Sequence, residues 1–206
     1  MKTRTVTKYI TDNDLELNFK PFDDNDVIIT EKDGKIYVRY LVQDENPVMD
    51  NPNDCSSPDL FLVFYHRQCD IRNDRIITEN EVRDYYLGNK LPAWDRKYWI
   101  YKLNAYIHSG VVLGLAPTNF PDERWDVSHN GLVLLAKKVW LGHEAKKIAE
   151  LFIKEWNQYL SGDIWGMCTD VFDAKTKENI IEESEALWGG YGYNDCLKQL
   201  KEESEA

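Results

Sequence analysis

The apolar positions of residues 143–160 recur at the spacing of an amphipathic helix. They follow i, i+3, i+4 and i+7, which places the side chains on one face of a helix. Gly162 stands where such a helix ordinarily ends. The pattern therefore predicts one long helix over about residues 143–160. Its apolar positions are Ala145, Ile148, Ala149, Phe152, Trp156, Tyr159 and Leu160.

Capping residues predict two shorter helices. Thr78 and Glu81 match a capping box, which indicates a short helix that ends near Gly88. Asn194 is a favourable N-cap for a short C-terminal helix. The apolar anchors of that helix are Leu197 and Leu200.

The remaining apolar segments are shorter and come in runs, as strands do. Asp33-Gly34 marks a hairpin turn between two of them, and the first dozen residues alternate weakly, as in an edge strand or an arm. Strands in runs with one long, late helix predict an α+β fold with a mostly antiparallel sheet. The predicted strands span residues 26–30, 35–42, 60–66, 97–107, 111–116, 131–136, 164–172 and 180–188.

A polar segment, residues 43–59, interrupts this pattern. It is rich in Asn, Asp, Ser and Pro, and loops of this length are usually functional or mobile. It divides the chain into an acidic N-terminal β-hairpin region, residues 1–58, and a main α+β domain, residues 59–206. A single domain spanning all 206 residues is the alternative.

Charge is distributed unevenly along the chain. The protein has 36 acidic and 25 basic side chains, a net charge of −11 with neutral histidines. Residues 1–60 carry 7 basic and 13 acidic groups, residues 61–141 carry 11 and 9, and residues 142–206 carry 7 and 14. The acidity therefore lies in the two flanking thirds. Such a charge repels phosphate, which argues against an extended nucleic-acid-binding surface.

Two interpretations of the acidic thirds stay open. Acidic side chains keep a surface solvated. Alternatively, they form a face that mimics the phosphates of DNA and docks the basic channel of a partner such as a nuclease. The sequence leaves open whether the two thirds share one face. The candidate partner-binding residues are Asp23, Asp24, Asp26, Glu182, Glu183 and Glu185.

Neither an export signal nor a membrane span is expected. No apolar run approaches the roughly 18 residues that a span needs, and the first residues lack the apolar stretch of a signal peptide. We therefore expect the protein in the cytoplasm of the host cell, with its four cysteines reduced. The cysteines and histidines lack the paired spacing of a zinc site, so no metal and no cofactor are expected. Common nucleotide-binding and hydrolase motifs are absent from the sequence.

A histidine, a guanidinium and a carboxylate follow the apolar run of residues 60–66. His66 and Asp70 are a candidate general base and its orienting partner, and Arg67 is suited to hold an anion. A structural ion pair beside a hydrogen-bonded histidine is the alternative.

A second cluster combines an acid, a hydroxyl and an imidazole. Asp126, Ser128 and His129 lie within four positions, and His108 precedes a predicted turn. If the protein is an enzyme, we expect His108, Asp126 and Ser128 to join the preceding group as catalytic residues. Asp126 and His129 also form half a metal site if the segment is helical. A turn, in which Asp and Ser satisfy backbone groups, is the alternative.

Aromatic residues near glycines are candidates for binding a flat ligand. Trp125, Trp188 and Tyr191 are suited to stack on a ring, with Arg67 as the polar ligand-binding residue. Glycine beside tryptophan also marks places where a large side chain packs against the backbone, and such packing is the alternative.

Several motifs follow one another along the sequence from residue 64 onward. They are a turn with histidine and arginine after a strand at 64–70, His-Ser-Gly at 108–110, Trp-Asp-x-Ser-x-x-Gly at 125–131, Tyr-Leu-x-Gly-Asp-x-x-Gly at 159–166 and Trp-Gly-x-Tyr-Gly at 188–192. Their order resembles that of an uncharacterised protein family of bacterial phages and mobile elements, from His66 onward, whereas residues 1–58 have no counterpart in it. The resemblance implies a mobile-element setting, where small acidic accessory proteins often act against host defences such as restriction and CRISPR nucleases.

Together these observations favour a binding protein over an enzyme. We expect an acidic accessory protein that binds and inhibits a nucleic-acid-handling defence protein, of the anti-CRISPR or antirestriction type, through negatively charged surfaces. The alternative is a small-ligand-binding protein or hydrolase-like enzyme that uses the central His, Asp, Ser and Arg residues. A structural or regulatory partner without mimicry is a third hypothesis. Direct binding to nucleic acid or membrane is not expected, and the oligomeric state stays open.

Overall fold

The structure, a computed structural model, describes most of the chain. The described residues are 3–45, 51–55, 59–72, 77–122 and 124–205.

The chain folds into two compact units. The first unit contains residues 1–47 and 162–206, and the second contains residues 48–161. This division differs from the one expected at residue 58, because a strand near the N-terminus pairs over nine residues with a strand near the C-terminus. That pairing runs from Lys35 opposite Asp173 to Gln43 opposite Trp165. The flanking thirds of the sequence therefore fold together.

Every strand pairing between the named strands is antiparallel, so the predicted α+β fold is confirmed, with two sheets instead of one. In chain order the elements are α1 (Thr3–Asp12), β1 (Ile28–Lys32), β2 (Lys35–Gln43), α2 (Pro52–Cys55), β3 (Leu60–His66), β4 (Cys69–Ile71), α3 (Glu79–Tyr86), α4 (Pro92–Asp95), β5 (Tyr98–Ile107), β6 (Val111–Leu115), β7 (Val127–Ala136), α5 (Gly142–Ser161), β8 (Ile164–Asp173), β9 (Glu185–Tyr191) and α6 (Tyr193–Glu205).

The first unit is built on a four-stranded sheet of order β1-β2-β8-β9. One face packs against α1, whose Val6 joins a core with Ile36 and Phe172. The opposite face packs against α6, whose Leu197 joins a second core with Trp165. Because both faces of the sheet are covered, the central strand β8 is buried along nearly its whole length.

The second unit is built on a five-stranded sheet of order β4-β3-β7-β5-β6. Helix α5, which confirms the predicted long helix, covers one face through residues such as Phe152 and Trp156. The other face packs against α3 and the residues before α4, through Val82 and Leu91. The central strands β3 and β7 are buried on both faces, which explains their nearly continuous apolar sequences.

Two local predictions are confirmed by hydrogen bonds and backbone angles. The amide N–H of Thr78 donates to Oε2 of Glu81 (2.8 Å), and Oγ1 of Thr78 accepts from the amide N–H of Glu81 (3.4 Å). This capping box begins α3, which ends just before Gly88. Asp33 and Gly34 have φ angles of 53° and 78°, as the tight turn between β1 and β2 requires.

The expectation of an edge strand or arm in the first dozen residues is wrong. These residues form helix α1, whose Val6, Tyr9 and Ile10 face the core at i, i+3 and i+4 spacing. The threonines of this segment favour a strand in isolation. Burial of one helical face outweighs that preference.

The last two elements begin at different residues from those expected. The segment before β9 forms a 3-10 turn at Ile181–Glu183, so the strand starts only at Glu185. Helix α6 begins at Tyr193, whose amide N–H donates to Oδ1 of Asp163 (2.9 Å). Asn194 therefore lies inside the first turn and is not the N-cap.

None of the helices in the described part of the chain is long and apolar enough to cross a membrane.

Three cysteine thiols are buried in the described part of the fold: Cys69, Cys168 and Cys196. Burial raises the pKa of Cys69 to about 11, of Cys168 to about 12 and of Cys196 to about 11, with nearby carboxylates adding to the effect.

A thiol with a pKa near 11 is only about one-thousandth thiolate at pH 8, against roughly a quarter for an ordinary thiol. We therefore expect iodoacetamide to alkylate these cysteines at least about 100-fold more slowly in the native protein than in urea. Peptide-resolved mass spectrometry measures the rates.

The same shifts predict how stability depends on pH. Because folding raises these thiol pKa values, their contribution to stability is complete below the ordinary thiol pKa. It is lost as the pH rises through the pKa values of the folded state. The urea midpoint should therefore fall between about pH 9 and pH 11. Equal alkylation rates in folded and unfolded protein would contradict the burial of these thiols.

Candidate functional site

At one edge of the sheet of the second unit, β3 and β5 end and β7, which lies between them, begins. β3 and β5 both run antiparallel to β7, so their last residues meet the start of β7. The amide N–H of Ile107, the last residue of β5, donates to the carbonyl oxygen of Asp126 (2.7 Å), which extends the pairing to the residue before β7. Side chains from three connecting segments are therefore gathered at this edge.

These segments enclose a cavity of about 450 Å³, which we call the histidine pocket. Ligand pockets commonly have volumes of about 300–1,000 Å³. The cavity brings together six residues that the sequence singles out as candidate site residues: His66, Arg67, His108, Trp125, Asp126 and Ser128.

An imidazole and a carboxylate form a pair in this pocket. Nδ1 of His108 lies 3.3 Å from Oδ2 of Asp126, and the His108 ring stacks on Tyr106 with the ring centroids 6.2 Å apart. In a neutral ring this arrangement places the proton on Nδ1 and leaves Nε2 as an acceptor. His108 is 65% exposed, and exposed pairs contribute little to stability. The Asp126 carboxylate therefore orients the His108 ring and adds little to the stability of the fold.

His66, the second imidazole of the pocket, differs from His108 because its Nδ1 accepts a hydrogen bond. The amide N–H of Gln68 donates to Nδ1 of His66 (3.2 Å), so in a neutral ring the proton lies on Nε2. Arg67 is exposed and forms no ion pair within the described residues. The pocket thus combines a donor imidazole, an acceptor imidazole and an uncompensated guanidinium, a set suited to hold an anion and exchange a proton with it.

Asp70 does not join this pocket, and the expected pair of His66 with Asp70 is not formed. Nε of Arg72 donates to Oδ2 of Asp70 (2.6 Å), and Asp70 lines a different cavity beside Trp156. The register explains the separation: His66 lies opposite Cys69, and Asp70 is the next residue along β4. Successive residues of a strand point to opposite faces.

The hydroxyl and the imidazole of the Asp126–His129 segment separate for the same reason. Ser128 lines the histidine pocket, whereas Nδ1 of the neighbouring His129 lies 2.9 Å from Oδ1 of Asn104. Asp126 contacts His108 and not His129, so the half metal site is not formed. Within the described residues, no three His, Cys, Asp or Glu side chains gather as a metal site.

The remaining aromatic candidates belong to the first unit. Trp188 lies over Gly166, where an added Cβ would come within 2.6 Å of the indole ring. Tyr191 ends β9, opposite Ile164. The structure thus supports the packing interpretation for Trp188, although its side chain stays 41% exposed.

Nearly all of the net charge belongs to the first unit. That unit carries 11 basic and 21 acidic side chains, a net charge of −10, whereas the second carries 14 and 15, a net charge of −1. The two acidic thirds of the sequence therefore share one compact unit, apart from the acidic residues of α5 and the polar loop.

The candidate partner-binding residues lie along both edges of the first unit's sheet. One group precedes the edge strand β1, and the other leads into the edge strand β9. They form two acidic edges instead of one cluster. The first group is Asp23, Asp24 and Asp26, and the second is Glu182, Glu183 and Glu185.

Some of these carboxylates already have partners within the first unit. The hydroxyl of Tyr193 donates to Asp26, and Nζ of Lys35 lies 2.6 Å from Oε2 of Glu183. Burial and the Asp26 contact together raise the pKa of Tyr193 above its ordinary value. These acidic residues are therefore not exclusively available to a partner.

Phe19, Phe22 and Trp188 form an aromatic surface on the first unit, which the sequence does not predict. Their exposed fractions are 41%, 57% and 41%, and they line a cavity of about 610 Å³. The rings of Phe19 and Trp188 meet edge to face at 5.4 Å. The available signal was two phenylalanines within a polar connecting segment, where little apolar material is expected.

No known family, no curated protein and no solved structure matches this chain. The resemblance to proteins of phages and mobile elements stays a prediction.

Proposed function

We propose that the protein is a docking protein whose first unit binds and blocks a basic nucleic-acid channel of a partner protein. The observation that supports this proposal is the separation of charge, −10 in the first unit against −1 in the second. Charge that only solubilises is ordinarily mixed in sign over the whole surface. A unit with a strongly negative field instead attracts basic surfaces and speeds their association.

The aromatic surface supports the same proposal. Protein interfaces combine a few aromatic anchors with a charged rim, and Phe22 and Trp188 are anchors of that kind. Asp44 and Glu45 line the same cavity. An arginine or lysine of the partner can pack its stem on these rings while its charged group meets the carboxylates.

The partner class follows from the charge. Channels that bind DNA or RNA are lined with Lys and Arg, and carboxylates present the same sign of charge as phosphates. A nuclease of a restriction or CRISPR defence system has such a channel and fits the mobile-element setting that the motif resemblance implies. Inhibition by occupying the channel needs no catalysis by this protein.

The test compares charge reversal in the two units. Glu182→Lys with Glu185→Lys changes two exposed side chains that form no hydrogen bond or ion pair within the described residues. Glu144→Lys with Glu150→Lys makes the same change of net charge in the second unit. Against a panel of restriction and CRISPR nucleases, we expect the first pair to weaken binding about tenfold or more at low salt and the second pair less than twofold.

Two outcomes would reject this proposal. One is the absence of any complex with the panel at about 50 mM salt, where electrostatic docking is tightest. The other is an equal loss of affinity for both pairs of substitutions, which would indicate net charge alone. Circular dichroism establishes that each variant is folded.

A further inference from the structure

The docking proposal leaves the histidine pocket of the second unit without a role. The pocket is polar and open to solvent. Arg67 has no ion-pair partner within the described residues, and the His108–Asp126 pair is too exposed to add much stability. The unit that holds the pocket has a net charge of only −1, so a small anion is not strongly repelled from it.

The polar groups fit a phosphate group better than a carboxylate. Arg67 and Nε2 of His66 are donors, and Nε2 of His108 either accepts the remaining proton of a phosphate or, once protonated, donates to it. Three groups match the three terminal oxygens of a phosphate monoester, whereas a carboxylate offers two. The second pKa of a phosphate monoester lies near 6, so at neutral pH the phosphate carries close to two negative charges for these donors to meet.

A planar group is the second expected part of the ligand. Trp125 lines the pocket and is 86% exposed, the largest exposure among the large apolar side chains in the described ranges. No ring contact of Trp125 is found within those ranges. An indole placed beside an anion site and left open to water is suited to stack on a ring of the ligand.

We propose that the histidine pocket binds a small phosphate monoester carrying an aromatic ring, such as a nucleoside monophosphate. The phosphate lies between Arg67, His66 and His108, and the ring stacks on Trp125. Asp126 is a positioning residue, since it acts through the orientation of His108.

Isothermal titration of the full chain with four probes tests the parts of this proposal separately. The probes are AMP, inorganic phosphate, adenosine and acetate. We expect AMP to bind about tenfold or more tightly than inorganic phosphate, because stacking adds to the phosphate contacts. Adenosine and acetate should bind more weakly than AMP. Acetate binding as tightly as phosphate would overturn the assignment of a phosphate group, and equal affinity for AMP and phosphate would overturn that of a ring.

Variants then place the ligand in this pocket. Arg67→Ala should lower the affinity for AMP and for phosphate about tenfold or more, because it removes a charged donor. Trp125→Ala should lower the affinity for AMP while leaving that for phosphate within about twofold.

Arg83→Ala is the matched control, since Arg83 lies in the same unit on α3, outside the pocket and 3.5 Å from Glu79. Equal effects of the two arginine substitutions, or no binding of AMP at about 10 mM, would overturn the proposal. Because Glu182 and Glu185 lie in the other unit, this result is distinguishable from the outcome of the docking test.

Discussion

Replacing Asp170 by alanine should destabilise the first unit by about 3 kcal/mol or more, since hydrogen bonds to a charged group contribute roughly 1.5–3 kcal/mol each. Asp170 is only 1% exposed. Its carboxylate accepts from the amide N–H of Asn18 (2.9 Å), from Nδ2 of Asn18 (2.6 Å) and from the hydroxyl of Tyr40 (2.7 Å). Alanine would leave the hydroxyl of the buried Tyr40 without this acceptor and would remove both contacts of the exposed Asn18.

Hydrogen bonds alone hold this carboxylate, because no basic side chain forms an ion pair with it within the described residues. Burial, together with the hydrogen bond to Asp170, raises the pKa of Tyr40 above its ordinary value, so the hydroxyl stays a donor. The two Asn18 contacts tie the segment before β1 to β8, and the Tyr40 contact ties β2 to β8. Loss of the carboxylate should therefore loosen both the segment and the sheet.

Two variants separate the contributions. Tyr40→Phe removes one donor to the carboxylate, together with the oxygen that accepts from the amide N–H of Phe19 (3.1 Å), and should cost about 1.5–3 kcal/mol. Asp170→Asn keeps the volume but turns an NH₂ group toward a donor, so its cost should fall between those of the other two. Urea denaturation gives the free energies of unfolding, and hydrogen exchange locates the change in β2 and β8. Unchanged exchange in those strands, or a loss below 1 kcal/mol for Asp170→Ala, would contradict this account.

Nothing in the sequence marks Asp170 as an anchor. It is one of three acidic residues in residues 163–173, and its partner Asn18 lies 152 positions away. Local sequence patterns predict the features that neighbouring residues determine, such as the capping box at Thr78 and the helix α5. The pairing of β2 with β8 depends on which strands meet across more than 100 residues, and hydrophobic alternation does not specify that.

The histidine pocket shows the same limit at the level of side chains. Chemistry-bearing residues at the ends of predicted strands, such as His66, are identifiable from the sequence because they close an apolar run. Which groups contact each other was not predictable. His108 pairs with Asp126 because β5 ends beside the start of β7, while strand alternation directs Asp70 toward Arg72. The exposure of Phe19 and Phe22 likewise depends on tertiary packing that no local pattern reports.

Replacing Gly131 by alanine should destabilise the second unit by about 3 kcal/mol, the upper part of the range for overpacking a well-packed core. A Cβ at this position would lie 2.2 Å from Cδ2 of Phe64 and 2.9 Å from the carbonyl oxygen of Val63. β7 lies between β3 and β5, with Gly131 paired to Phe64 on one side and Leu103 on the other. The backbone therefore cannot move away from one neighbour without breaking its pairing with the other.

A matched substitution in the same unit isolates this effect. Gly110 has no atom within 4 Å of an added Cβ, so Gly110→Ala should change stability by less than about 0.5 kcal/mol. Phe64→Leu introduced beside Gly131→Ala should recover part of the loss, because the Phe64 ring makes the closest contact with the added methyl group. Urea denaturation gives the free energies of unfolding of the unsubstituted protein, of the two single glycine variants and of the double variant. If Gly131→Ala were no less stable than Gly110→Ala, the close approach of β3 to β7 would be refuted. The position of His66 at the end of β3 would then lose its structural basis, because the same pairing places it beside the start of β7.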